Sequence, residues 1–249
     1  MKKTTTLLAL AALLPMAAWA QKGATPQDDT AAAVVDRYVA MMNIEGLPQD
    51  SLLVMETAIT FYGSKDTVWM KRWFAQPQCQ RVEVWCDGKL ETGLVSNGKD
   101  RFRRYVKVDE AWESTSQMDL LDRLWGYDFR GPLHNWRAKG ATLKWNGVTT
   151  LKGQSLQVVM VQMPDMYTRY YMFEPGSGLL TLIIETDEQS DNTNRPPENH
   201  TEWKSMHEYQ PIGKSLLPSL ESFLRNGVLT VMSTAMHFEK LDLSIFEKD

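Results

Sequence analysis

Residues 202–246 constrain the fold more than any other part of the chain, because they have the alternation and the turns of an antiparallel meander. Most alternate positions from Glu202 to Glu208 are charged, and this period of two is typical of a strand. Asn226-Gly227 then separates two extended runs, residues 219–225 and 228–239. Both turn residues accept the positive φ that a tight hairpin requires. We therefore expect three neighbouring antiparallel strands at the end of the chain.

The preceding sequence has the same pattern, with a new extended run about every ten residues. These predicted strands cover residues 51–62, 68–74, 79–86, 90–96, 101–108, 141–145, 156–163, 167–173 and 179–186. Turn-forming pairs such as Asp87-Gly88 and Asn97-Gly98 separate neighbouring runs. Strands mostly follow strands without an intervening helix, which excludes the doubly wound α/β folds.

Helical patterns interrupt the strands at two places. Asp29 or Thr30 can cap a helix that continues to Met42. Ser116 and Asp119 have the spacing of a capping box at the start of a second helix. The apolar face of this second helix consists of Met118, Leu121, Leu124 and Trp125, and Leu133 and Trp136 predict a further short helix. The expected fold class is α+β: one strongly curved antiparallel sheet with helices covering its concave face.

The first twenty residues have the features of a secretory signal. Lys2 and Lys3 precede an apolar run, residues 7–16, and Ala18-Trp19-Ala20 fits the cleavage pattern. The apolar run is too short for a membrane span. There is no cysteine near the cleavage site, so we expect no lipid anchor. We expect residues 1–20 to be a signal peptide and residues 21–249 to form a single periplasmic domain. The formal net charge of −4 argues against nucleic acid as a partner.

The two cysteines, Cys79 and Cys86, lie in one predicted strand. An oxidising compartment favours a disulfide. However, the sequence between the two residues contains no turn former, and their odd spacing places the thiols on opposite faces of an extended strand. We therefore expect both cysteines to be free.

Motifs that carry catalysis are absent from the sequence. It contains no G-x-S-x-G, no phosphate-binding glycine loop and no H-E-x-x-H. His207 and His237 could face each other on adjacent strands and bind a metal, or each could make ordinary hydrogen bonds. The second interpretation is favoured, because neither histidine has an acidic or cysteine partner at ligand spacing. We expect no catalytic residue, no metal and no cofactor.

Large apolar side chains are more numerous than one core face requires. Eight of the nine tryptophans and twelve of the 14 methionines follow residue 20. Several predicted strands carry large apolar residues on both faces, whereas a sheet with one core needs only one such face. The surplus fits either a lined cavity or ordinary core. Methionine suits a pocket for variable acyl chains because it is flexible and polarizable.

The closing segment also resembles that of the outer-membrane lipoprotein-sorting proteins, the LolA/LolB-like carriers. The residues that carry this resemblance are Tyr209, Gly213, Leu217-Pro218, Asn226-Gly227, Leu241-Asp242 and Phe246. Pro77 followed by Arg81 is similar to a recurrent step of the same family. The order of helix, strands, helix and strands over residues 29–246 is a further similarity.

The resemblance implies an unclosed half β-barrel with a helical lid, which carries lipid acyl chains or acylated lipoproteins. Transfer of a ~14-carbon chain into water costs roughly 10 kcal/mol, at about 0.8 kcal/mol for each CH₂, so such a carrier needs an apolar groove. The expected groove residues are Met55, Ile59, Phe61, Trp69, Trp73, Met118, Leu121, Trp125 and Tyr171. An envelope sensor or interaction module on the same fold, with an envelope protein as partner, is the alternative, and a hydrolase with an unrecognised site is less favoured.

Overall fold

The computed structural model describes residues 28–75, 79–99, 101–115, 130–131, 133–162, 168–186, 201–225 and 227–248. In these ranges a helix, α1 (Asp28–Met42), and a 3₁₀ turn (Ile44–Gly46) precede the strands. The strands are β1 (Ser51–Phe61), β2 (Thr67–Ala75), β3 (Cys79–Cys86), β4 (Lys89–Ser96), β5 (Phe102–Val106), β6 (Ala111–Ser114), β7 (Thr142–Leu151), β8 (Gln154–Gln162), β9 (Thr168–Phe173), β10 (Leu180–Thr186), β11 (Thr201–Ile212), β12 (Ser215–Arg225) and β13 (Val228–Lys240). A second 3₁₀ turn, Leu243–Phe246, follows them.

All thirteen strands belong to one sheet, and each pairs antiparallel with its neighbours. Their order is β6-β5-β4-β3-β2-β1-β13-β12-β11-β10-β9-β8-β7. The first and last strands, β1 and β13, therefore pair in the middle of the sheet, from Ser51 opposite Lys240 to Phe61 opposite Thr230. Strands β6 and β7 are the edges, so the sheet is not closed. The prediction of a curved antiparallel sheet that is not closed is confirmed, and of the helices predicted to cover it the described residues contain one, α1.

One face of the sheet, called here the concave face, is the face on which α1 packs. Helix residues Ala31, Val35 and Tyr38 are buried against strand residues such as Tyr171 and Phe173. The rings of Tyr38 and Phe173 lie 5.6 Å apart between centroids. The principal strand contacts of α1 are with β7, β8 and β12. These side chains belong to the largest apolar cluster of the described residues, called here the main cluster, which extends from β8 to β2. Its buried members include Ala31, Val35, Tyr38, Leu53, Met55, Phe74, Val159, Val161, Tyr171, Phe173, Leu217 and Met236.

Three sequence predictions about the elements need correction. Strand β6 was not expected, residues 133–140 form turns rather than a short helix, and β12 begins at Ser215 rather than at residue 219. Pro218 is tolerated inside β12 because it pairs with Tyr209, where the register of β11 and β12 shifts. A strand can accommodate a residue without an N–H at such an irregularity. The predicted helix at Met118–Trp125 lies outside the described residues.

The prediction for the cysteines is confirmed. Cys79 and Cys86 are free and form the two ends of β3, which pairs without interruption with β2 from Ala75 to Val68. The two residues are seven positions apart along a regular strand, and this odd spacing points their side chains to opposite faces.

Candidate functional site

A second apolar cluster lies on the concave face, on the β6 side of the main cluster. Its buried members are Met70, Val82 and Leu94, and Ile59, Val84 and Phe102 pack against them half-buried. The register brings these residues together, since Met70 lies opposite Val84 and Val82 lies opposite Leu94. The cluster therefore extends across β1 to β5, whereas α1 packs chiefly on β7, β8 and β12.

Methionines are concentrated on the concave face near the central strand pair. They are Met55, Met70, Met206, Met232 and Met236. Met55 lies opposite Met236, and Met232 lies opposite both Ile59 and Glu221. Four of the five are at most 9% exposed. Unbranched thioether side chains adapt to differently shaped neighbours, so this region of the face can repack around changes in its surroundings.

Buried polar groups lie between the two apolar clusters. Arg72 pairs across the sheet with Met55 of the main cluster and with Val82 of the second. Its Nη2 donates to Thr57 Oγ1 at 3.2 Å, and Thr57 Oγ1 lies 2.9 Å from Thr234 Oγ1. Hydrogen bonding offsets the cost of burying these groups. The floor of the concave face therefore has two apolar regions with a polar step between them.

A second polar contact lies on the β11 and β12 part of this face. The carboxylate of Glu221 is buried and lies 2.6 Å from Nζ of Lys204, which is more exposed. Glu221 also lies opposite Met206 and Met232 in the sheet. The methionines are thus bordered by the Lys204–Glu221 ion pair on β11 and β12 and by Arg72 on β2.

The residues predicted to line one groove do not all share a face. Met55, Ile59 and Phe61 alternate along β1 on the concave face, and Tyr171 is fully buried in the main cluster. Trp69 and Trp73 lie opposite Ala58 and Val54, so they project from the other, convex face. Met118, Leu121 and Trp125 lie outside the described residues.

The two tryptophans on the convex face have different surroundings. Trp69 is 55% exposed, whereas Trp73 packs on Phe246 of the final 3₁₀ turn, with Leu52 and Val54. Strand β2 carries large apolar side chains on both faces, so its sequence does not indicate which face joins the apolar face of β1. Only the register decides this, because a shift by one residue exchanges the two faces.

The two histidines considered as metal ligands are not neighbours. His207 is on β11 and His237 is on β13, with β12 between them. His207 Nε2 lies 2.6 Å from Ser222 Oγ, and His237 Nε2 lies 2.9 Å from Glu239 Oε1. Within the described part of the chain, no three His, Cys, Asp or Glu side chains are close enough to hold a metal ion.

A polar pocket at the end of β5 was not predicted from the sequence. It has a volume of about 390 Å³ and is lined by Asn97, Arg101, Arg103, Ser114, Thr115 and Glu247, together with Phe102. A sequence signal existed in the basic run at residues 101–104. The run did not indicate a pocket because Glu247, which is distant in sequence, completes its wall.

Across the residues that the structure describes, no helix is long and apolar enough to cross a membrane. No protein-family model matches the chain, and no curated protein sequence matches it.

Solved structures with a similar fold do exist. The LolA superfamily protein of Nitrosomonas europaea is 12% identical, with a TM-score of 0.59, and the match covers 88% of this chain and 98% of that chain. A domain assigned to outer membrane lipoprotein sorting from Vibrio parahaemolyticus is 9% identical, with a TM-score of 0.58, and the match covers 88% of this chain and 97% of that chain.

A DUF1329 family protein from Desulfovibrio piger is also similar, with 13% identity and a TM-score of 0.56. That match covers 87% of this chain and 96% of that chain. At these identities the likeness concerns the fold. The chain therefore has the fold of the LolA superfamily and of outer membrane lipoprotein-sorting proteins, as the residues of its closing segment suggested.

Proposed function

We propose that the protein binds the acyl chain of a lipid or an acylated lipoprotein on its concave face and carries it without chemical change. The observation that carries this proposal is the second apolar cluster, Met70, Val82 and Leu94 with Ile59, Val84 and Phe102. It lies on the same face as the main cluster but on strands away from the principal contacts of α1. Met70, Val82 and Leu94 are at most 4% exposed. The partly accessible side chains around them, Ile59, Val84 and Phe102, are therefore the ones that an acyl chain would contact first.

The energetics favour a non-catalytic carrier. Each CH₂ that leaves water contributes about 0.8 kcal/mol, so contact along several strands is sufficient to hold an acyl chain. Release then requires only that an acceptor bind the chain more tightly. The fold of the LolA superfamily protein and the lipoprotein-sorting domain supports this proposal. The signal-like segment at residues 1–20 supports a periplasmic location.

Titration with a dansyl-labelled undecanoic acid tests the proposal. We expect the wild-type protein to bind the probe with increased fluorescence. The double variant Ile59→Thr, Val84→Thr should bind it roughly tenfold more weakly, because an ethyl group of Ile59 and a methyl group of Val84 are each replaced by a hydroxyl. Both side chains are half-buried, which limits the loss of stability.

Val148→Thr is the control, because it repeats the valine-to-threonine exchange of Val84→Thr on β7, at a side chain that is 58% exposed. It should leave probe affinity unchanged. Absence of binding by the wild-type protein, together with absence of co-purified lipid in native mass spectrometry, would overturn the proposal. Equal weakening by the control and by the double variant would place the ligand elsewhere.

A further inference from the structure

The polar pocket at the end of β5 has the chemistry of an anion site. Arg101 and Arg103 contribute guanidinium groups to its wall, Asn97 an amide, and Ser114 and Thr115 hydroxyls. Guanidinium groups match the geometry of carboxylates and phosphates, and hydrogen bonds to an ionised acceptor are stronger than neutral ones. The chain as a whole is acidic, with a formal net charge of −4, so this basic pocket is a local departure from the average.

A carboxylate of the protein itself already lies in this pocket. Asn97 Nδ2 donates to Glu247 Oε1 at 3.2 Å, and Arg101 Nε lies 3.8 Å from Glu247 Oε2. The Glu247 side chain is about half exposed, and an exposed ion pair of this kind contributes little free energy. Glu247 therefore shows that a carboxylate fits beside these groups, and its exposed contacts contribute little to holding it there.

The pocket adjoins the second apolar cluster through Phe102. This residue lines the pocket and also packs against Met70, Val82 and Leu94. Phe102 and Arg103 are consecutive residues of β5, so their side chains leave the strand on opposite faces. The pocket is therefore lined from both faces of β5, by Phe102 of the concave face and by Arg103 of the convex face.

We infer that this pocket binds the carboxylate or phosphate group of an amphiphile whose acyl chain lies on the second apolar cluster. The inference rests on the proposed function, because it assigns the head group of the same ligand. It also narrows the ligand class: an anionic amphiphile should bind more tightly than a neutral one with the same chain.

The test compares a dansyl-labelled undecanoic acid with its methyl ester. We expect the wild-type protein to bind the acid roughly tenfold more tightly than the ester, the factor expected for one charge-assisted contact. Arg103→Gln should remove this difference by weakening the acid alone. Glu247→Gln should act in the opposite direction and tighten the acid several-fold, because it removes the competing carboxylate.

Lys214→Gln, at an exposed lysine in the β11–β12 turn, is the control and should change neither affinity. Thermal unfolding of each variant should give a melting temperature near that of the wild-type protein. Arg103 also donates to the Trp112 carbonyl, so Arg103→Gln can lower stability for a reason unrelated to the ligand. In that case Glu247→Gln tests the pocket independently.

The outcomes separate this inference from the proposed function. Equal affinity of the wild-type protein for acid and ester would overturn the head-group assignment and leave the carrier proposal standing. Binding of neither probe would overturn both. Inorganic phosphate should displace the acid only at concentrations far above that of the probe, because it lacks a chain. Displacement at equal concentrations would assign the pocket to a free anion and overturn the inference.

Discussion

At the scale of single residues, the convex face near β4 is closely packed around one tryptophan. The ring of Trp112 lies over Gly93, where an added Cβ would come within 2.4 Å of it. The guanidinium carbon of Arg81 lies 4.9 Å from the ring centroid, and the Tyr105 ring meets Trp112 edge to face at 5.8 Å. Glycine is required at position 93 because the ring occupies the space of a side chain, while the local backbone does not have positive φ.

Gly93→Ala should therefore destabilise the protein by about 1–3 kcal/mol, the usual cost of overpacking. Urea unfolding followed by circular dichroism measures this loss. Gly176→Ala is the matched control, because nothing lies within 4 Å of its added Cβ, and it should leave the unfolding midpoint unchanged within error. A stable Gly93→Ala protein would indicate that Trp112 moves away without cost.

At the scale of elements, α1 is joined to the turns before β7 by a polar contact. Asp36 accepts hydrogen bonds from Arg137 Nη1 at 2.9 Å and Nη2 at 2.8 Å, and from Trp136 Nε1 at 3.0 Å. The Arg137 hydrogen bonds hold the pKa of the Asp36 carboxyl below its ordinary value of 3.8. Burial opposes this shift and Trp136 reinforces it. The charged form of Asp36 therefore favours the docked helix.

A carboxyl whose pKa is lowered by folding stabilises the folded state above its ordinary pKa, and this stabilisation is lost as the pH falls through the lowered value. Asp36→Asn should consequently lower the free energy of unfolding at pH 7 by at most about 1 kcal/mol, because the carboxyl is half exposed. The difference from the wild-type protein should diminish below about pH 4. Chemical unfolding of both proteins across this range measures the effect. A difference that is constant with pH would contradict this account of the contact.

At the scale of the whole molecule, one strand pair joins the two halves of the sheet. Strands β1 to β6 and β7 to β13 are each consecutive meanders, and the pairing of β1 with β13 makes them continuous. The buried hydrogen bond between Thr57 and Thr234 crosses this pair. Pairing between residues so distant in sequence carries a loop-closure cost, and this pair makes the two halves one sheet.

Thr234→Val should lower the free energy of unfolding by about 0.5–1.5 kcal/mol, the net value of one such hydrogen bond. Thr57 still accepts from Arg72, so its hydroxyl keeps a partner. The unfolding curves from tryptophan fluorescence and from circular dichroism should shift together, since weakening the central pair affects both halves. Two separate transitions would show that the halves unfold independently.

Local sequence patterns were sufficient to predict most strands, α1 and the antiparallel arrangement. Alternation, hairpin pairs such as Asp87-Gly88 and the helical spacing before Met42 depend on neighbours within a few residues. The free cysteines followed from the same reasoning, because one uninterrupted strand separates Cys79 from Cys86. The closing segment also indicated the fold that the solved structures share.

The tertiary structure alone decided which side chains share a surface. Register between β1 and β2 placed Ile59 and Met70 on the concave face but Trp69 and Trp73 on the convex face. The pairing of β1 with β13 brought Met55 to Met236, and the return of the chain end brought Glu247 to Arg101. The physical reason is that period-two alternation defines two faces for each strand separately, whereas joining those faces requires a register set by contacts across the whole chain.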